Sequence, residues 1–242
     1  MPPEPASVQN PALPSQNSPQ PLAWKSPARL RNGVGGSTRG TLRADSRGFE
    51  FVPLKRAGKH WSFAEIKDLD VQKYRIVLVA YDNRGWHLPG TQRFDLEVKN
   101  EITPSVAASL TKEMHRPVRN RVADPDAAAV TVIAVRRSGH FGGSNGVLRI
   151  RQQGIDYVTS QSGNSRSWRW LDLQTLSNPD PYHLFVFGYR DSYAFDLKET
   201  LSREMFNHLS DEIWAHNEGE MRGKPVSLLP GRPTNGVRRE DE

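Results

Sequence analysis

The chain repeats itself, and the repeat limits what it can fold into. Offset by 106 positions, residues 31–54 lie over residues 137–160 without a gap. Arg31/Arg137, Gly33/Gly139, Gly36/Gly142, Gly40/Gly146, Leu42/Leu148, Arg43/Arg149, Gly48/Gly154 and Val52/Val158 are identical. Four of these eight identities are glycines, and chance gives about one or two matches in such a window. Further on, WSFAEIKDL (61–69) matches WRWLDLQTL (168–176), and RFDLEV (93–98) matches AFDLKE (194–199). Each copy must therefore build the same small core, so 242 residues are expected to form two modules rather than one large domain.

Within a copy the apolar period changes from that of a strand to that of a helix. In the second copy Val130–Arg136, Val147–Ile150, Ile155–Thr159, Arg166–Leu171, Leu173–Ser177, Leu184–Tyr189 and Tyr193–Leu197 have strand composition, with turn segments between them. Residues 201–217 then place Leu201, Met205, Leu209 and Ile213 on one helical stripe, which Phe206 and Trp214 widen. The first copy ends in the same way. Thr103 is its N-cap, Pro104 occupies the first helical position, and Val106, Leu110 and Met114 make the stripe. Its first strand is expected to be missing or irregular, because residues 21–30 carry Pro21 and Pro27.

This plan resembles the pleckstrin-homology-like (PH-like) superfold in its bacterial PH and GRAM-like versions. The residues carrying the resemblance in the first copy are Gly40, Leu42, Gly48, Phe49, Trp61, Phe63, Glu65, Ile66 and Phe94–Leu96. In the second they are Gly146, Leu148, Gly154, Ile155, Trp168, Trp170, Asp172, Leu173 and Phe195–Leu197. The resemblance implies a mainly β (α+β) chain with two tandem PH-like small β-barrels or sandwiches, each closed by a C-terminal α-helix. It places module 1 at 29–116, a linker at 117–128 and module 2 at 129–217. The flanks, 1–28 and 218–242, read as polar tails. The first holds eight of the eighteen prolines and too little apolar surface to offset its ordering entropy. It serves as a tether or, less simply, as a proline-rich ligand.

The net charge of +6 is unevenly spread. Residues 1–40 sum to +3, 41–115 to +2, 116–137 to +3 and 138–217 to −2. The surplus sits in the leader and the linker, whereas a dedicated nucleic-acid binder carries it on a folded face. The longest strongly apolar run, Ile76–Tyr81, is far short of the roughly 20 residues a spanning helix needs. No basic and apolar leader opens the sequence, so the expected location is cytoplasmic, including a peripheral position at a membrane.

Cysteine is absent, which excludes disulfides, thiolate nucleophiles and Cys-ligated metals. None of the seven histidines is spaced as a zinc site, and no nucleophile elbow, Walker loop or dinucleotide fingerprint is present. Neither an enzymatic activity nor a cofactor is expected. Trp61, Trp168 and Trp170 could form a stacking platform for a base or sugar. Their equivalent places in the two copies favour core packing instead.

The basic residues near the glycine loops are the remaining candidates: Arg31, Arg39 and Arg43 in the first copy, and Arg137, His140, Arg149 and Arg151 in the second. The PH-like resemblance implies lipid-phosphate contacts in roughly that region, while strand alternation offers the plainer reading of a charged, solvated sheet face. The leading expectation is a non-enzymatic binding or scaffolding module for a protein or peptide partner. Anionic lipid headgroups are the alternative, and nucleic acid at the basic linker is the lesser one.

Overall fold

The computed structural model describes residues 23–32, 36–82, 90–139, 142–161 and 163–222. The first copy contains β1 (Ala23–Asn32), β2 (Gly36–Asp45), β3 (Gly48–Pro53), β4 (Lys59–Ser62), β5 (Ile66–Gln72), β6 (Arg75–Asp82), β7 (Gly90–Val98) and α1 (Pro104–Lys112). A two-residue strand, β8 (Arg119–Asn120), follows. The second copy contains β9 (Thr131–Ser138), β10 (Ser144–Arg151), β11 (Gly154–Val158), β12 (Arg166–Arg169), a 3-10 turn (Trp170–Asp172), β13 (Leu173–Asp180), β14 (His183–Gly188), β15 (Ser192–Leu197) and α2 (Arg203–Arg222). The chain is mainly β, and a helix ends each copy.

The duplication extends to the pairing. The first copy runs in the order β5-β6-β7-β1-β2-β3-β4, and the second in the matching order β13-β14-β15-β9-β10-β11-β12. Each copy pairs its last strand with its first, while its fourth and fifth strands stay unpaired with each other. Among the described residues the sheet is therefore open in both copies, and neither is a hydrogen-bonded closed barrel.

The shared glycines have steric causes. A Cβ on Gly48 would lie 2.0 Å from the Trp61 carbonyl oxygen, and one on Gly154 would lie 1.9 Å from that of Trp168. Their φ angles, +150° and +151°, are open to glycine and rarely to other residues. Gly40 and Gly146 let an aromatic ring, of Phe51 or Tyr157, close over the neighbouring strand.

Two separate cores follow from strand alternation. The first gathers Leu42, Phe49, Phe51, Trp61, Leu78 and Leu96. The second gathers Leu148, Ile155, Tyr157, Trp168, Val186 and Phe195. The tryptophans at the repeat position are buried in these cores, so they offer no stacking platform. Trp168 and Trp170 do not share one strand as expected, because the chain turns into the 3-10 helix at Trp170. The acid of the repeat motif explains that turn. Asp172 accepts the backbone N–H of Arg169 at 2.9 Å, and Glu65 accepts that of Ser62 at 2.9 Å. Each caps the corner between the fourth and fifth strands of its copy.

Three local expectations change. β1 is a full strand that starts inside the stretch read as tail. It tolerates Pro27 because the Pro27 carbonyl accepts from Lys99, beyond the last β1–β7 ladder pair, so the missing N–H falls where that ladder ends. α2 extends to Arg222, past the expected boundary at 217. Its stripe holds Leu209 and Ile213 against the core, but Trp214 is 63% exposed. α1 forms as expected, with the Thr103 hydroxyl accepting the Val106 N–H at 3.4 Å.

The segment read as a linker is built into the sheet. β8 pairs in parallel with β5 and antiparallel with β12. Val118 is fully buried and belongs to the first core.

Candidate functional site

The basic residues singled out by the glycine loops do not form one site. Arg31 pairs with Glu97, and Arg43 stands 3.6 Å from Glu50, both exposed. Such pairs contribute about 0–1 kcal/mol. Arg39 is exposed and lies directly across from Arg29 on β1, as Arg43 lies across from Lys25. Two like-charge pairs thus share the outward face of β1–β2, an arrangement that opposes folding slightly. Arg43 and Lys25 also line a cleft of about 580 Å³ with Trp24, Asp45, Arg47 and His60.

In the second copy Arg137 and Arg149 are on opposite faces. Arg137 follows the inward Ile133 and Val135 and stacks 4.0 Å over the ring of Tyr193. Burial, with the Asp191 charge, pushes the Tyr193 phenol above its ordinary range. Arg149 alternates outward with Arg151, opposite to the buried Leu148 and Ile150. Its register partner on β9 is Val132, whereas Arg137 pairs with Ser144, about 17 Å away along the strand. Arg149 donates to the Ala127 carbonyl at 2.6 Å. Arg151 donates to Asp156 and Ser167, and burial raises the Asp156 carboxyl against the lowering effect of Arg151. His140 lies outside the described residues.

The strongest polar constellation was not among these candidates. It surrounds β8. Arg166, whose side chain is 1% exposed, donates to the carbonyls of Asn120 at 2.7 Å, Val118 at 3.0 Å and Ser167 at 2.9 Å, and to Asp191 at 2.9 Å. Burying a guanidinium costs several kcal/mol, and this complete set of acceptors offsets that cost. Arg169 donates to the carbonyls of Thr111, Met114 and Arg116, where α1 ends and its last carbonyls need donors. Arg119 bridges Asp70 of the first copy and Asp191 of the second. Arg121 pairs with Asp70, and Arg190 reaches the carbonyls of Pro117 and Lys67. Charge at the linker is therefore spent inside the joint. Sequence patterning had flagged glycine loops, whereas the usable signal was Arg166 and Arg169 flanking a buried Trp168.

β8 also exposes a difference between the copies. In the first, the fifth-strand edge is covered: β8 lies on β5, and Arg121 N–H donates to the Val71 carbonyl at 2.8 Å. In the second, β13 pairs with β14 alone among the described residues. Beside β13 runs α2, and a hollow of about 260 Å³ between them is lined by Thr175, Leu176, Asp211, Ile213, Trp214 and Asn217. The β5 edge is acidic, with Asp68 and Asp70. Aligning Trp61 with Trp168 puts Thr175 and Ser177 at those positions on β13. Phe185 and Phe187 stack on the next strand with ring centroids 6.3 Å apart, and Phe187 is exposed. The open edge thus carries the hydroxyls of Thr175 and Ser177 where the covered one carries the carboxylates of Asp68 and Asp70.

Among the described residues no group of three or more His, Asp or Glu is arranged to hold a metal ion, and no helix is long and apolar enough to cross a membrane. No family model and no curated protein matches the chain. Solved structures that match include a chain from the structure of the Spt16D Pob3N heterodimer, at 8% identity and a TM-score of 0.29, covering 69% of this chain and 86% of that one. A likeness at that level carries no argument about fold or function.

Proposed function

We propose that the chain is a non-enzymatic tandem of PH-like modules that binds a protein or peptide partner by adding an extended segment to the β13 edge, beside α2. The observation that carries this reading is internal. The chain covers the fifth-strand edge of its first copy with its own β8, while the matching edge of the second copy has no neighbouring strand among the described residues and meets only α2, whose Asn217 donates to the Leu173 carbonyl at 3.4 Å. Strand addition supplies main-chain hydrogen bonds, and flanking pockets select side chains. Here the flanks are Trp214, Phe187 and the hollow against α2, which favour an apolar, uncharged segment rather than the basic one held by Asp70.

Selection of a displayed random-peptide library on the full chain tests this. Recovered sequences should alternate apolar residues and carry little charge. Trp214→Ala, which removes the exposed ring beside β13, should weaken their binding about tenfold or more. Recovery of sequences that bind Trp214→Ala equally well would exclude the β13 edge.

A second reading, peripheral binding of anionic lipid, draws on the like-charge pairs Lys25/Arg43 and Arg29/Arg39 on one outward face. Each basic residue near an anionic surface contributes about 1 kcal/mol. Sedimentation with phosphatidylserine vesicles should then fall with added salt and with Arg39→Ala plus Arg43→Ala. Retention that ignores both changes would exclude it.

A further inference from the structure

The fourth-strand edge of the second copy carries the chain's own segment 118–120, held through its main chain. Arg166 donates to the carbonyls of Val118 and Asn120, and Asp172 accepts the Val118 N–H at 2.8 Å. Ser167 is the register partner of Asn120. None of these contacts reads a side chain of the segment.

The matching edge of the first copy is β4. With Trp61 over Trp168, Lys59 stands at the position of Arg166, His60 at that of Ser167, and Glu65 at that of Asp172. Among the described residues β4 pairs with β3 alone. Next to it lies a hollow of about 500 Å³, lined by Lys59, Trp61, Glu65, Tyr81, Gln92 and Phe94 among others. The Lys59 ammonium sits 4.8 Å over the Phe94 ring, directed across the hollow. Glu65 Oε2 accepts both the N–H and the hydroxyl of Ser62, and these bonds hold its carboxyl below the usual range. The carboxylate is therefore ionised and has acceptor capacity on its second oxygen.

The surroundings are basic. Lys55 and Arg56 precede β4, His60 is on it, and Arg116 lies 5.5 Å over the Tyr81 ring at the other rim. The segment bound in the second copy meets the reverse situation: its Arg119 faces Asp70 and Asp191.

We propose that the β4 edge of the first copy binds an extended acidic peptide segment. Lys59 donates to a main-chain carbonyl and Glu65 accepts a main-chain N–H, as Arg166 and Asp172 do for residues 118–120. The acidic preference follows from Lys59 and His60 in the lining of the hollow, with Lys55 and Arg56 just before β4 in the chain and Arg116 over the lining ring of Tyr81. This site is on a different edge from β13 and stands or falls separately from the reading given above.

The test uses the full chain and a fluorescently labelled, end-capped peptide alternating Glu and Val, compared by anisotropy with its Lys–Val counterpart. The acidic peptide should bind at least about tenfold more tightly than the basic one. Lys59→Glu should weaken it about tenfold or more, and Trp214→Ala, beside the β13 edge, should leave it unchanged. Amide exchange in wild-type β4 should slow when the acidic peptide is present, which decides the matter even if Lys59→Glu folds poorly. Absence of saturable binding, equal binding of both peptides, unchanged exchange at β4, or binding lost in Trp214→Ala would each overturn the proposal.

Discussion

Replacing Gly154 by alanine would set a Cβ 1.9 Å from the Trp168 carbonyl oxygen, and Gly48 meets the same obstacle at Trp61. Both obstacles are backbone, so rotating a side chain relieves neither. Gly48→Ala and Gly154→Ala should each lower unfolding free energy by about 3 kcal/mol or more, read from urea melts. Near-neutral behaviour at either position would contradict the shared hairpin geometry. Arg166 poses the opposite case, a buried charge that needs every acceptor around it. Arg166→Met leaves the Asn120 and Val118 carbonyls without that donor and Asp191 with only Trp168 and Arg119, and should cost about 3–5 kcal/mol. A loss below about 1 kcal/mol would mean that the joint tolerates removal of its central donor. At Asp95 the hydrogen bond from Arg75 holds the carboxyl below its ordinary range. A lowered folded-state pKa adds stability that is fully present above the unfolded value and is lost as pH falls through the folded one. Asp95→Asn should therefore melt below wild type at pH 7, with the gap closing below about pH 4. A gap that ignores pH would contradict the pairing.

At the scale of elements, the strands and helices were largely legible because their periods are local. The seven strand segments of the second copy, the Thr103 cap and the stripe through Leu209 and Ile213 follow from alternation and capping alone. β1 was harder, since Pro27 argues against a strand until one knows that its N–H side faces the end of the β7 ladder. β8 was not legible at all. Two residues have no period, and their place depends on Arg166, Asp172, Asp70 and Asp191, which lie far away in sequence. Trp214 was misplaced because helical spacing defines a stripe but not its width. β8 makes a prediction of its own. The Val118 side chain is in the first core while its N–H is held by Asp172 of the second copy. Calorimetry of Val118→Asp should show both copies melting together at lower temperature. Two separated transitions with only one shifted would show that β8 does not couple them.

Over the whole molecule, duplication yields two similar bodies with unlike edges. The joint uses the fifth-strand edge of the first copy and the fourth-strand edge of the second, so β13 and β4 remain at the ends of the sheet. The candidate sites were poorly legible for that reason. Charge near the glycine loops can be read along the chain, but an open edge exists only once the pairing of every other strand is known. The net charge of +6 also changes meaning, since Arg119, Arg121, Arg166, Arg169 and Arg190 hold carboxylates and carbonyls at the joint rather than forming a basic face. The most direct measurement is amide hydrogen exchange on the full chain, with and without a peptide recovered by selection. Exchange should slow along β13 and in α2 around Trp214, and β5, already covered by β8, should stay unchanged. Bound peptide with unaltered exchange at β13 would contradict strand addition there.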